Sequence, residues 1–208
     1  KGAIHIYDNA IDFEKAKLKK HWIENVGCEW TELSKDEVFE IEPALNKEKK
    51  VAGGIYTESD ASGDIHKYCI DLSRVLSSKY GVKFRFNEKV KDINGTSFPI
   101  ISTDKEDIPF DKVVICAGVK TQEFRNKFRD NFRIYPVKGY SITIDLDDEI
   151  SKSAAPHVSI KDDHNKIVSS RLGNRLRVAG TAELAGENKE VREERITPLI
   201  EWVNNCFP

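Results

Sequence analysis

Methionine is absent from the 208 residues, and cysteine is rare, with four residues that lie far apart. The cysteines form no CxxC pair, and no histidine lies at zinc-ligand spacing, which argues against a metal site or a disulfide framework. No apolar run reaches the ~20 residues of a membrane-spanning helix, and no charged and then apolar leader opens the chain. We therefore expect a soluble globular protein from a reducing compartment.

Neither sign of charge is in large excess, because 33 lysines and arginines face 35 aspartates and glutamates. Such a balance gives no global field that would attract nucleic acid or an anionic membrane, so a small-molecule partner is expected. The lysine cluster at 15–20 is interpreted as a solvated helix face, since acidic residues flank it.

Self-contained catalytic motifs are also missing: there is no GxGxxG, P-loop, HExxH or GxSxG. The five histidines are scattered, and the local pattern assigns none of them to catalysis. His66 follows the cap of a predicted helix, where a solvent-facing or hydrogen-bonded role is expected. Asp60 and Asp64 are interpreted as residues of a turn and a helix cap, and neither is predicted to be catalytic.

The hydrophobic periodicity predicts mixed α and β structure. Ser34 with Glu37 forms a capping box that begins a short helix, and the paired glycines in 51–56 indicate close approach of a backbone or a ligand. The continuous apolar run 112–118 is typical of a buried parallel strand. Helices are predicted at 12–25, 34–43, 65–79 and 189–204, and strands at 2–7, 51–56, 82–86, 89–93, 99–103, 112–118, 140–146, 157–160, 166–170 and 175–180. The helix at 65–79 is amphipathic and is expected to turn Tyr68, Leu72, Val75 and Leu76 inward.

Several stretches in a fixed order carry a family resemblance. They are Leu33–Val38, Ile41–Leu45, Ala52–Thr57, Asp60 with Ser62–Asp64 and His66–Lys67, Val113–Gly118, Pro136–Ser141 and Arg171–Leu184. In this order the chain resembles the interior of the D-amino acid dehydrogenase family, flavoproteins related to glycine oxidase, sarcosine oxidase and D-amino acid oxidase. Cys116 departs from the family pattern, which more often has a small residue such as alanine there.

The resemblance implies a mixed α/β (α+β) fold, in which a mixed-sheet substrate domain with helices accompanies inner strands of an FAD-binding domain. The Rossmann core with its glycine-rich turn is expected before Lys1, and both ends of the chain are expected to be cuts. The implied division places the first part of the substrate domain at 1–65, the inner part of the FAD-binding domain at 66–122 and the second part of the substrate domain at 123–208.

The resemblance also implies cofactor contacts. Val90 matches the place where relatives hold the adenine of FAD by backbone atoms, and Ala117 and Gly118 match the small-residue strand end beside the nucleotide. From the residues alone, Val90 is equally explained as a core residue. Ala117 and Gly118 are also explained as a strand end at which a turn needs small residues.

Two substrate contacts are predicted. Arg171 matches a strand-end position where relatives place an arginine, and its guanidinium can clasp a carboxylate through two parallel hydrogen bonds. Tyr140 is a candidate pocket residue, with a packed aromatic as the alternative. Arg175 and Arg177 are interpreted as surface or salt-bridged residues.

The implied activity belongs to amino acid catabolism: hydride transfer from the α-carbon of a D-amino acid to flavin, followed by hydrolysis to a 2-oxo acid and ammonia. A quinone or electron carrier is the expected acceptor, with a cytoplasmic location or peripheral attachment to the inner face of the cytoplasmic membrane. The isolated fragment is expected to be inactive. The alternatives are an amine oxidase for glycine, sarcosine or a proline-like substrate, and a non-catalytic module that binds a small molecule or a protein.

Overall fold

The computed structural model describes residues 2–95, 97–127 and 133–207. No helix within these ranges is long and apolar enough to cross a membrane. The helices are α1 (Ala10–Lys17), α2 (Lys20–Asn25), α3 (Lys35–Ile41), α4 (Ile65–Tyr80), α5 (Glu149–Ala154) and α6 (Glu193–Cys206), with a 3-10 helix at Gly118–Lys127. The strands are β1 (Ala3–Tyr7), β2 (Thr31–Leu33), β3 (Gly53–Thr57), β4 (Val90–Asn94), β5 (Ile100–Thr103), β6 (Asp107–Pro109), β7 (Lys138–Asp145), β8 (Ser159–Asp162), β9 (Ile167–Leu172) and β10 (Arg175–Glu183).

Seven strands form one mixed sheet in the order β2-β3-β1-β8-β9-β10-β7. β1 runs parallel to β8, whereas the other neighbouring pairs are antiparallel. The mixed sheet with helices that the sequence predicted is therefore confirmed. Its central pairing joins the first described strand to one that begins at residue 159.

One face of this sheet packs against helices and forms the main core. Because side chains alternate along a strand, every second residue of β1, β8, β9 and β10 turns to that face. We call it the core face. Its buried members include Ile4, Ile6, Ile160, Ile167, Leu176 and Val178, which share one hydrophobic cluster with Val38 of α3 and Leu199 and Trp202 of α6.

Local sequence signals explain two details of this packing. Ser34 caps α3 with the predicted capping box, in which its backbone N–H donates to the Glu37 carboxylate at 2.7 Å. The paired glycines admit packing neighbours. A Cβ at Gly54 would lie 2.8 Å from Val38 and 3.2 Å from the His5 carbonyl oxygen, and one at Gly53 would lie 2.3 Å from the Phe13 ring.

The sheet β4-β5-β6 belongs to a second, smaller unit, in which Ile93 and Phe124 are buried. The predicted burial of one face of α4 is wrong for the described residues, since α4 contains no buried side chain and Tyr68 is 60% exposed. An amphipathic helix buries its apolar face only where another layer covers it. The described residues of this unit supply no such layer.

Two predicted strands are absent. Residues 82–86 and 112–118 have no strand pairing in the described part of the chain, and Val114 is 84% exposed. A buried parallel strand needs a neighbouring strand to pair its backbone groups and layers on its faces. The apolar pattern indicates that these segments can be buried in a sheet. Among the described strands, however, none pairs with either segment.

The contacts divide the chain into two compact units. Unit 1 consists of Lys1–Ile65, Lys138–Glu183 and Asn188–Pro208, and unit 2 of His66–Val137 and Leu184–Glu187. The 3-10 helix packs on β4 and belongs to unit 2. The sequence-based division at residues 65 and 122 into substrate-domain and FAD-binding parts stays a prediction. What each unit binds stays a prediction.

Candidate functional site

The face of the large sheet opposite the core face is rich in polar side chains. We call it the polar face, and it is formed by Ala3 and His5 of β1, Ser159 and Lys161 of β8, Val168 and Ser170 of β9, Arg175 and Arg177 of β10, and Ser141 and Thr143 of β7. Hydrogen bonds link neighbours on it, as between Ser159 and Ser170 at 2.8 Å and between Arg177 and Ser141 at 2.9 Å.

A cluster of titratable groups lies where β1 and β8 meet on the polar face. His5 Nδ1 lies 2.7 Å from Asp163 Oδ2, and Lys161 Nζ lies 3.3 Å from Asp163 Oδ1. Tyr7 donates a side-chain hydrogen bond to the same carboxylate. Two neighbouring strands, β1 and β8, thus direct three donors at one aspartate.

The cluster shifts two pKa values. Burial, the charge of Asp163 and the hydrogen bond to it together raise the pKa of the Tyr7 phenol. Burial alone would raise the pKa of Asp163, but the hydrogen bonds from His5 and Tyr7 and the charges of His5 and Lys161 outweigh it and lower that pKa. Asp163 is therefore a carboxylate at neutral pH.

A cavity of about 380 Å³ adjoins this cluster. Tyr7 and Asp163 line it from the sheet side, and Asp12 and Lys15 of α1 line it from the other, together with Lys19. His164 and Lys166 complete the loop side. Both signs of charge are present on its wall, which suits a small zwitterion better than an apolar ligand.

Arg171, the predicted carboxylate anchor, lies near the end of β9 and shares the core side of the sheet with Leu176. Its Nη1 donates to the Lys152 carbonyl oxygen at 3.0 Å, and its Nε donates to that of Gly173 at 3.4 Å. It also lines a cavity of about 240 Å³ with Ser62, His157 and Ser159. Its role in substrate binding stays a prediction.

Tyr140, the other predicted substrate contact, is a buried core residue. Its hydroxyl donates to Glu183 Oε2 at 2.6 Å, and the same carboxylate accepts from Lys138 at 3.0 Å and from Arg192 at 2.9 Å. The hydrogen bonds from Tyr140 and Lys138 lower the pKa of Glu183 against the effect of burial. The ring is thus packed in the core, and a role for Tyr140 in the substrate pocket stays a prediction.

The structure does not bring Arg171 and Tyr140 together. On β10 the partner of Arg171 is Leu176, and the partner of Tyr140 is Gly180. Four residues of strand separate those partners by about 13 Å. One small amino acid cannot contact both side chains.

The three predicted FAD contacts lie in unit 2 and suit contact through the backbone. Val90 is 36% exposed on β4, an edge strand of its sheet in the described chain, so one row of its backbone groups faces away from β5. Gly118 has φ +54°, and among the described residues nothing other than its chain neighbours lies within 4 Å of a Cβ built there. Ala117 beside it is exposed. These positions admit a ligand in close contact.

Other titratable residues have structural roles or form no site. Asp64 forms an ion pair with Arg175 at 2.9 Å, and the Asp60 carbonyl oxygen accepts the Gly2 N–H at 2.9 Å. Within the described ranges, no group of three or more histidine, cysteine, aspartate or glutamate side chains could hold a metal ion.

Sequence analysis missed the cluster of His5, Lys161 and Asp163 altogether. His5 and Asp163 are 158 positions apart, and only the parallel pairing of β1 with β8 makes them neighbours. The alternation of side chains along β1 puts His5 on the side opposite Ile4 and Ile6. It does not identify a hydrogen-bond partner for His5 on another strand. The available signal was a histidine on the polar side of an otherwise apolar strand.

Comparison with known proteins covers the whole chain. The model of the FAD dependent oxidoreductase family matches residues 1–208. A protein named D-amino acid dehydrogenase 3 from Mesorhizobium japonicum is 43% identical over 100% of this chain and 51% of its own length. D-amino acid dehydrogenase from Paramagnetospirillum magneticum is 34% identical over 100% of this chain and 49% of its own. The chain thus spans about half the length of these relatives.

Solved structures share the fold at low sequence identity. Glycine oxidase from Geobacillus kaustophilus superposes with a TM-score of 0.86 at 19% identity, covering 100% of this chain and 54% of that one. L-proline dehydrogenase from P. horikoshii gives a TM-score of 0.83 at 14% identity, covering 100% and 57%. At these identities the likeness concerns the fold alone.

Proposed function

This chain belongs to the FAD dependent oxidoreductase family, and from that premise we propose that the protein containing it oxidatively deaminates D-amino acids to 2-oxo acids and ammonia. The observation that carries the proposal is the 43% identity, along the entire chain, to a relative named D-amino acid dehydrogenase. Flavin supplies the chemistry by accepting the α-hydrogen as hydride.

The chain's own contribution to the cofactor is contact rather than chemistry. We assign the adenine side to the backbone of Val90 and the nucleotide side to Ala117 and Gly118, whose exposure and open space support the assignment. A side chain at residue 118 would occupy that space and would also be strained at positive φ.

The electron acceptor and location are part of the same proposal. A dehydrogenase passes its electrons to a quinone or another carrier rather than to O2, and such an acceptor places the protein in the cytoplasm or peripherally at the inner face of the cytoplasmic membrane. The name dehydrogenase, which these relatives carry, supports an acceptor other than O2.

The test is the visible absorption spectrum of the full-length protein that contains these 208 residues, followed by anaerobic addition of D-alanine. We expect a flavin spectrum that bleaches with D-alanine and stays unchanged with L-alanine. Bleaching by glycine or sarcosine in preference to D-alanine would replace the substrate class. A protein that neither purifies with flavin nor takes it up would contradict the oxidoreductase proposal.

Arg171 gives a separate prediction. If its guanidinium clasps the substrate carboxylate, Arg171→Ala should raise KM for D-alanine about 10- to 100-fold, the loss expected for a charge-assisted hydrogen bond. Arg171→Lys should recover only part of it, because an ammonium cannot form the bidentate pair. Arg74→Ala, at an exposed position on α4, is the control.

Arg171 bonds to two backbone carbonyl oxygens on the core side of the sheet, and from these contacts we expect the other outcome, a structural role. A lower melting temperature with an unchanged KM would show that the side chain only holds the segments of Lys152 and Gly173.

A further inference from the structure

His5 and Asp163 form an imidazole–carboxylate pair of the kind that handles protons. Their 2.7 Å separation is that of a charge-assisted hydrogen bond, and the two residues come from a strand and a loop 158 positions apart. The pair lies on the polar face, beside the small cluster in which Phe13 and Ala16 of α1 pack on Tyr7 and Ile55, and the His5 side chain is 35% exposed. A ligand can therefore reach the ring.

The hydrogen bond decides which ring nitrogen is basic. Asp163 is a carboxylate and only accepts, so the neutral His5 ring carries its proton on Nδ1. Nε2 then holds a lone pair, and the described residues show no hydrogen bond to it. This is the arrangement in which a carboxylate orients an imidazole and stabilises the imidazolium that forms when Nε2 takes a proton.

The charges around the ring are few and can be named. Asp163 faces Nδ1. Lys161 on β8 lies opposite His5 on β1 and forms an ion pair with Asp163. Tyr7 reaches the same carboxylate and stays protonated. On the other side of β1, the partner of His5 is Ile55, which carries no charge. Asp163 is therefore the charged group in direct contact with the His5 ring.

The proposed reaction needs a proton acceptor. An amino acid is a zwitterion at neutral pH, and its nitrogen must lose a proton before its lone pair can assist departure of the α-hydrogen. We propose that His5, held by Asp163, accepts that proton at Nε2 from the ammonium group of the bound amino acid. The N–H bond of the substrate breaks, a new N–H bond forms on His5, and the proton then passes to water.

This inference rests on the proposed function and places the substrate on the polar face. Arg171 points to the other side of the sheet, two strands across and about 10 Å further along. One small amino acid cannot use both residues. An Arg171→Ala variant with raised KM and unchanged folding would therefore overturn the assignment of His5.

The first test is the pH dependence of kcat/KM for D-alanine in the full-length protein. His5→Gln keeps a donor for Asp163 but removes the proton acceptor. We expect kcat/KM to fall about 100-fold near pH 7, within the range for loss of a general base. In His5→Gln, kcat/KM should rise tenfold for each unit of pH up to the pKa of the substrate's own amine, since only the neutral amine reacts. His21→Gln, on the exposed side of α2, should leave the wild-type profile intact.

The second test does not depend on turnover. 2-Aminoisobutyrate is a zwitterion without an α-hydrogen, so it binds without being oxidised. Nitrogen NMR of the histidine rings should show His5 changing from the Nδ1–H tautomer to the imidazolium when this compound binds near neutral pH, with His21 unchanged. In His5→Gln that signal should be missing.

The outcomes separate the two proposals. Wild-type protein that binds flavin but does not oxidise D-amino acids defeats the proposed function and this inference with it. Wild-type protein that oxidises them, with the same pH profile in His5→Gln and no change at the His5 ring on binding, defeats the inference alone.

Discussion

Replacing Glu42 by alanine should lower the free energy of unfolding by about 3–5 kcal/mol, because three backbone donors would lose their acceptor. Glu42 is fully buried at the end of α3. Its carboxylate accepts the N–H groups of His157 at 2.6 Å, Val158 at 3.0 Å and Ala44 at 3.2 Å. It thereby ties the segment before β8 to α3, which comes 115 residues earlier.

Urea unfolding followed by the fluorescence of the buried Trp202 measures this effect. Glu42→Gln should lower the free energy of unfolding by less than Glu42→Ala does. The glutamine carbonyl oxygen can still accept a hydrogen bond, whereas its NH2 group is a donor and cannot pair with the remaining N–H groups. Glu40→Ala, on the exposed side of the same helix, should change the free energy by less than about 0.5 kcal/mol. Equal effects at Glu40 and Glu42 would show that helix propensity, and not the buried carboxylate, is responsible.

Asp162→Asn should cost about 2–4 kcal/mol at neutral pH, because it removes the charge at the centre of a buried network. Asp162 is 3% exposed and accepts from Trp202 Nε1 at 2.8 Å, from the Asn165 N–H at 3.0 Å and from the Asn165 side chain at 2.9 Å. Lys49 Nζ lies 3.5 Å away and is itself 14% exposed. The neutral amide would leave that ammonium without its counter-charge.

The pH dependence of this difference has a definite sign. Burial raises the pKa of Asp162, but the hydrogen bonds from Asn165 and Trp202 and the charge of Lys49 outweigh it and lower that pKa below its ordinary 3.8. The stabilisation is therefore complete above pH 3.8 and is lost as the pH falls through the lower folded-state value. Wild type and Asp162→Asn should converge once the pH falls below the folded-state pKa of Asp162. A constant difference down to that pH would contradict the ionic role, and the exposed Asp145→Asn is the control.

Local patterns predicted the parts of the fold that depend on neighbours in sequence. The capping box of Ser34 and Glu37 formed as predicted, since all its atoms lie within one helical turn. β1 and β10 follow the alternation of their side chains. The helix predicted at 12–25 was divided into α1 and α2, and the short elements β2, β6 and α5 were missed because they are too brief to show a period.

Predictions of burial failed where the covering layer is not part of the described chain. The apolar run with Val114 and the apolar face of α4 were predicted to be buried and are exposed. Hydrophobicity indicates what a segment can bury and not what lies against it. The chain spans about half the length of its relatives, and both failures concern unit 2.

The candidate site was harder to predict than the fold, because it depends on register. Arg171 and Tyr140 were selected by position in a motif, yet each is engaged by hydrogen bonds on the core side of the sheet. His5 and Asp163 become partners only through the parallel alignment of Ile4 with Ile160. A shift of one residue in that alignment would turn His5 away from the aspartate.

The parallel pairing of β1 with β8 also constrains the order of folding. β1 leaves the ribosome at the start of this segment, but its second neighbour begins at Ser159, after all of His66–Val137 has been synthesised. Until then, in the antiparallel pair of β1 and β3, the edge of β1 that will later bind β8 is unpaired, and Ile4 and Ile6 lie on that strand. Closing the long loop between β1 and β8 is entropically costly. Nascent chains halted before residue 159 should therefore be the aggregation-prone species, and chaperone occupancy should fall once β8 has emerged.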